Sequence, residues 1–427
     1  MSCFIRLPML INERNYEWDS LPHSQEYSSP TLTIQSPLPS NHKTLKDKAD
    51  SKVEKADSLA EEGDYESAIN YYDEAITIKT DCTSAWYHQG VALQHLDRDE
   101  EALASFDKAL NFNSDNPKIW NYRGITLKNL NRYDQAIASY DKALKLNSDD
   151  VKVWYNRGVA LRKLKQYEEA IDSFNHALAL NPNYAKAWID RGNTLRKLNR
   201  LQEAIASYNH TLAIQPDDDR TCCNCGFLLY QLHRYQEALA SFDQAIKVNP
   251  NSDKAWHNRA MVLNHLEHYE EAVESCDRAL EINPDYELAW NTKAVVLLNL
   301  KRYESMIECY DYSLQIHPKN YYTWYLRGKT LFRLGRYEDA IDSYDQALER
   351  KQDYHYWTER GNALQELQRY QEAITAYNQA LKLNPNDDEL WMLKNLATNR
   401  WRWQKWHQKL VKLWQKIKAL FEQSARE

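Results

Sequence analysis

The run Cys222-Cys223-Asn224-Cys225 contains a CxxC spacing, which suits zinc ligation or dithiol redox chemistry. No second CxxC or paired-histidine motif stands elsewhere to complete four ligands, and the run falls inside a helical pattern. These thiols therefore read as core residues, and no metal is expected. His210, His233, His257 and His265 occupy positions that are not equivalent to one another, which reads as surface. A glycine-rich phosphate loop, a nucleophile elbow and a metalloprotease helix are all missing from the sequence, so neither catalysis nor a cofactor is expected. The residues that do recur are cationic: Lys118, Lys152, Lys186, Arg220 and Lys254 follow one another at intervals of 34. Lys128, Arg162, Lys163, Arg196 and Lys197 lie further along the same segments. A surface lined by one sign of charge concentrates the opposite sign, so this column suits an acidic segment of a partner. Asn156, Asn224 and Asn258, with Asn121, Asn291, Asn193 and Asn362 nearby in register, add amides able to bond a partner's backbone whatever its sequence.

The elements that must position these residues are legible in Val151–Pro182. Trp154, Gly158, Leu161 and Leu164 share one face at helical spacing, and Ala170, Ile171, Phe174, Ala177 and Leu178 share another. Lys165-Gln166-Tyr167 connects the two helices, and Asn181-Pro182 ends the second. The same unit returns with Trp86, Trp120, Trp154, Trp188, Trp256, Trp290 and Trp324, all separated by multiples of 34 residues, and with Trp357 and Trp391 after a one-residue deletion. A fixed period of this size means a stacked array. Glycine costs a helix about 0.5–1 kcal/mol against alanine, so its recurrence at Gly90, Gly124, Gly158, Gly192, Gly226, Gly328 and Gly361 implies close approach of a second helix.

Trp, Gly, Leu, Ala, an aromatic residue, Ala and Pro, in that order and at these intervals, resemble the tetratricopeptide repeat. The resemblance implies an all-α, right-handed superhelical solenoid of antiparallel helix hairpins, with about ten units over residues 44–387. It also implies that the first helix of each unit lines a concave face that holds a partner polypeptide. Lys118, Lys152, Lys186, Arg220 and Lys254, with Asn121, Asn156, Asn193, Asn224 and Asn258, would then line this groove as the partner-binding set. The family's two-carboxylate clamp is matched at Asn193, Asn224 and Lys254 but lacks its other cations, since Ile189 and Asn258 stand in their place. Arg123, Arg157, Arg191, Arg259, Arg327 and Arg360 precede the small-residue position, and pairing with Asp141, Asp243, Asp277 and Asp345 of the second helices is expected of them. At Cys222, which replaces tryptophan, either partial compensation by Phe227, Leu228, Leu229 and Tyr230 or a bend of the array is expected, and a second irregularity is expected at Gln352, which replaces proline beside the deletion.

A net charge of −7 and a pI of about 6.0 argue against nucleic-acid binding through overall charge. At one equivalent position Tyr155, Ile189, Cys223 and His257 show no recurrent base-reading residue, although RNA along the basic groove stays open as an alternative. Seven cysteines at irregular positions suit a reducing, cytoplasmic setting. Residues 1–43, rich in proline and serine, read as a disordered tail without a signal-peptide pattern. Residues 388–427 carry an apolar stripe of Trp403, Trp406, Leu410, Leu413, Ile417 and Leu420, with Lys405, Lys409, Lys412 and Lys416 opposite. This segment is expected to cover the last hairpin, to dimerise, or to place 400–422 on an anionic membrane as the anchor of an assembly factor.

Overall fold

The computed structural model describes residues 45–424, so the expected disordered stretch 1–43 lies outside them. All regular elements among the described residues are helices, and they form ten successive hairpins followed by one long helix. The first five hairpins are α1 (Leu45–Glu61) with α2 (Tyr65–Ile78), α3 (Thr83–His95) with α4 (Asp99–Phe112), α5 (Pro117–Asn129) with α6 (Tyr133–Leu146), α7 (Val151–Lys163) with α8 (Tyr167–Leu180), and α9 (Ala185–Lys197) with α10 (Leu201–Ile214). The next five are α11 (Asp219–Gln231) with α12 (Tyr235–Val248), α13 (Asp253–His265) with α14 (Tyr269–Ile282), α15 (Glu287–Asn299) with α16 (Tyr303–Ile316), α17 (Tyr321–Arg333) with α18 (Tyr337–Arg350), and α19 (Tyr354–Glu366) with α20 (Tyr370–Leu383). Helix α21 (Asp388–Ser424) closes the array.

In seven of the ten hairpins a ring is pressed against the backbone of a glycine, whereas alanine takes the glycine position at Ala56, Ala260 and Ala294. A methyl group added to Gly158 would lie 2.6 Å from Cε1 of Phe174, and Gly90, Gly124, Gly192, Gly226, Gly328 and Gly361 face Phe or Tyr rings just as closely. Those rings are among the most deeply buried side chains. Ala260 occupies the glycine position in α13, and the facing residue there is the small Cys276, which leaves room for the methyl. The first helix ends where Lys165 takes a left-handed conformation (φ 63°) and Gln166 N–H donates to the Leu161 carbonyl.

Two tethers join neighbouring hairpins. The indole N–H of Trp154 donates to the Ser148 carbonyl at 2.8 Å, and Trp188, Trp256, Trp290 and Trp324 reach Pro182, Pro250, Pro284 and Pro318 in the same way. Arg157 donates from Nε to Asp141 of the preceding hairpin at 2.7 Å and from Nη1 to Ser173 of its own second helix at 2.7 Å. Arg259 pairs with Asp243 and Arg360 with Asp345, as the sequence suggested, while Asp277 is taken by Lys293. Arg191 finds Asn175 instead of a carboxylate.

At the sixth hairpin both tethers are replaced by thiols, Cys222 for tryptophan and Cys225 for arginine. Leu228, Leu229 and Tyr230 pack with Leu195 and Tyr208, yet α10 and α11 approach each other less closely than other successive helices and α9 does not approach α11 as α7 approaches α9, so the stacking is irregular here as expected. The second expected irregularity is corrected by the structure: α17 and α19 keep the approach seen elsewhere. With one residue deleted, the side-chain Oε1 of Gln352 accepts the Trp357 indole N–H at 3.0 Å, in place of the loop carbonyl that other units use.

The ring contact makes a stability prediction. Gly158→Ala should cost roughly 1–3 kcal/mol, because the Phe174 ring must leave its position in a close-packed core. Ala260→Gly, opposite a small cysteine, should cost about 1 kcal/mol or less. Urea melts of the two single variants check this; equal losses would contradict it.

Candidate partner-binding groove

First helices approach one another from hairpin to hairpin at α1–α3, α3–α5, α5–α7, α7–α9, α11–α13, α13–α15 and α17–α19, while successive second helices do not come comparably close. Rows of rods that converge on one side curve toward that side, so the first helices line the inside of the solenoid. The sequence-expected cations stand there in two tiers. Lys118, Lys152, Lys186 and Arg220 are exposed on the first turns of α5, α7, α9 and α11, and Lys254 is half-buried on α13. Among the described residues, Lys118, Lys152 and Lys186 form no ion pair.

Below this row lie Lys128, Arg162 and Arg196, each half-buried near the end of its helix. Burial holds the Lys128 ammonium below its usual range, only partly opposed by Asp99. Arg162 lies 3.6 Å from Asp190, and the Nε donors of Arg162 and Arg196 are buried without a hydrogen-bond partner among the described residues. Asp190, which interrupts the asparagine series, accepts from the Tyr155 hydroxyl at 2.8 Å. Burial, reinforced by that carboxylate, pushes the Tyr155 phenol far up.

The asparagines divide. Asn121 and Asn156 sit side by side, with Asn156 Nδ2 3.4 Å from Asn121 Oδ1. Asn224 is half-exposed on α11. Asn193 accepts from the Tyr208 hydroxyl at 2.8 Å, so its carbonyl is engaged within its own hairpin. Asn258 is a correction: it is 4% exposed, and its Oδ1 has no hydrogen-bond partner among the described residues. The reason is the approach of α15 to α13, the closest between any two first helices, which covers the face that carries His257 and Asn258.

His257 corrects the surface reading in the same way. It is 3% exposed, with Nε2 3.0 Å from Thr292 Oγ1 and Nδ1 3.2 Å from the Tyr286 hydroxyl. The other three histidines are exposed, His210 stacking on Trp188 and His265 on Tyr235. Burial pushes the thiols of Cys222 and Cys225 up to about 11 and that of Cys223 up to about 12, which disfavours the thiolate that metal binding or nucleophilic attack requires. The core reading of the cysteines holds for Cys222 and Cys225, whereas burial of His257 was not legible in the repeat period, because it depends on how closely α15 packs on α13.

Burial lowers the proton affinity of His257 from an ordinary value near 6.5 to about 4. As pH falls through this window the unfolded chain takes up a proton that the folded chain refuses, so stability is lost between pH 6.5 and about 4. The loss should be on the order of 3 kcal/mol. Denaturation at a series of pH values, wild type against His257→Gln, checks it: the difference between the two curves should slope through this window and be flat above it.

Sequence profiles described as tetratricopeptide repeat match residues 151–184, 321–354, 356–387, 53–117, 228–287, 105–138 and 173–206, and a profile described as TPR repeat matches 126–165 and 192–233. Together they span more than half of the chain. A profile described as protein prenyltransferase alpha subunit repeat matches residues 303–334, which span α16 and α17 of two neighbouring hairpins. No match is found among curated proteins. Among solved structures, the C-terminal part of a TPR repeat-containing protein from Cytophaga hutchinsonii is 14% identical, covering 56% of this chain and 98% of its own, with a TM-score of 0.51. A tetratricopeptide repeat protein from Parabacteroides merdae is 17% identical over 58% of this chain and 98% of its own, with a TM-score of 0.42. YrrB, described as a TPR protein with an unusual peptide-binding site, is 27% identical over 44% of this chain and 97% of its own, with a TM-score of 0.41. On its repeat period, its hairpin stack and the tetratricopeptide-repeat profiles that match more than half of it, the chain belongs to the tetratricopeptide-repeat family.

Proposed function

We propose that this protein is a non-enzymatic interaction scaffold whose inner face, along the third to seventh hairpins, holds an extended acidic segment of a partner protein. The fold and its family support a protein-interaction role in general; the acidic character rests on the cations. The observation that carries the reading is the two-tier arrangement, an exposed row of Lys118, Lys152, Lys186 and Arg220 above recessed Lys128, Arg162 and Arg196.

The recessed guanidinium groups are half-buried and partly desolvated, so a carboxylate settled against them would gain charge-assisted hydrogen bonds. Such a ligand gains more from these groups than it would from fully hydrated surface lysines. Asn121, Asn156 and Asn224 are placed to bond the backbone of the same extended segment. Because the helices are held by their own tethers, the ordering cost on binding falls mainly on the ligand.

The test is a nuclease-treated pull-down with mass spectrometry, comparing wild type with a variant in which Lys118, Lys152, Lys186, Arg220 and Lys254 are all changed to glutamate. Partners with acidic segments should be captured by wild type and lost by the variant, while single Lys→Ala changes should weaken binding only about two- to fivefold each. Capture of the same proteins by both chains would refute the groove reading, as would a steep salt dependence with RNA but none with peptides.

A further inference from the structure

Helix α21 runs for 37 residues, roughly 55 Å, whereas the helices of the hairpin beneath it have 13 and 14 residues. Only its first part serves as a lid on the array. Leu390 and Ala397 are buried there, Leu393 packs with them, and Gln404 Nε2 reaches the Gln368 carbonyl at 3.4 Å. Beyond that point the helix leaves the solenoid, and every side chain from Lys405 to Leu420 is exposed.

The free half does not continue the docked face. At about 100° per residue, the line through Leu390, Leu393, Ala397, Trp401 and Gln404 extends to Gln408, Val411 and Gln415, all exposed, and the two glutamines interrupt it with polar residues. The apolar stripe of Trp403, Trp406, Leu410, Leu413, Ile417 and Leu420 is turned roughly 170° from that line, almost to the opposite side of the helix. Trp403 is 64% and Leu420 66% exposed, so this is a second apolar surface, not an unfinished part of the cap. Lys405, Lys409, Lys412 and Lys416 recur at intervals of four, three and four, forming a stripe that adjoins the apolar one instead of opposing it. From Leu390 to Leu420 there is no aspartate or glutamate.

We propose that the free half of α21 lies on an anionic lipid bilayer, with its apolar stripe in the interfacial layer and its lysine stripe against the headgroups. Charge decides among the possible covers. A second copy packed antiparallel would bring together two lysine stripes, and in either orientation the segment from Leu390 to Leu420 supplies no carboxylate to pair them. An anionic bilayer supplies the missing negative charge over the whole length and accepts tryptophan at the headgroup level. Lysines that flank an apolar stripe can bury their methylene stems while their ammonium groups stay among the phosphates. No helix among the described residues is long and apolar enough to cross a membrane, so the helix rests on the surface.

The experiment is co-sedimentation of the full chain with phosphatidylcholine vesicles, with and without phosphatidylserine. Wild type should pellet with the anionic vesicles, stay in solution with the neutral ones, and be released by high salt. Changing Lys405, Lys409, Lys412 and Lys416 to glutamine should weaken binding about fivefold per lysine, and Trp403→Ala/Trp406→Ala should also release the chain. All of these side chains are exposed, so folding is preserved, which circular dichroism verifies. The variant with the groove cations reversed should pellet like wild type, which separates this result from that of the groove. Equal binding to neutral and anionic vesicles, no binding to either, or a dimer in buffer that the tryptophan changes dissociate would overturn the proposal.

Discussion

The contact between a helix backbone and an aromatic ring sets everything else in this molecule. With glycine at the point of contact, Phe174 approaches α7 more closely than any side chain would allow, and the same geometry recurs at Tyr140, Tyr208, Phe242, Tyr344 and Tyr377. Although α15 and α16, with Ala294 in place of glycine opposite Tyr310, pack less closely, similar separations within most hairpins allow similar stacking between them. Only then do the Trp indole and the Arg guanidinium find the same acceptors one unit after another. Where the glycine is lost in α13, the facing ring shrinks to Cys276, so the separation is maintained by exchanging bulk across the contact.

Because packing uses one side of each first helix, the other side is left to vary without disturbing the array, and function is written there. In the central hairpins those positions hold cations whose hydration is already partly removed, as for Lys128 and for Arg162 and Arg196, each of which keeps a buried Nε without a hydrogen-bond partner among the described residues. Such groups do little for stability, since desolvating a charge costs more than an imperfect pair returns. Their value lies in what they would do for an acidic ligand. At the far end, α21 follows the same division: one face completes the stack and another is left for a different kind of surface.

Much of this was legible in the sequence because the repeat places equivalent residues in equivalent surroundings. The hairpins, the glycine contact and the Arg157–Asp141 and Arg259–Asp243 pairs all follow from comparing units. Departures from the average were harder to read. His257 and Asn258 look like surface residues by register, yet the close approach of α15 buries them. Gln352 looks like a break, but its side chain is long enough to return the acceptor that the deletion removed. In α21 the period reveals an apolar stripe without telling which half is docked, since that depends on where the solenoid ends.

The central claim is that a ligand is held by the first helices and not by the outer face. Photocrosslinking tests it most directly, using a benzophenone side chain at Asn156 on α7 or at the exposed Asp172 on α8 and a short glutamate-rich peptide as the probe. The account predicts peptide adducts from the Asn156 position, diminished by salt, and none above background from Asp172. Equal crosslinking from both positions, or from Asp172 alone, would contradict it.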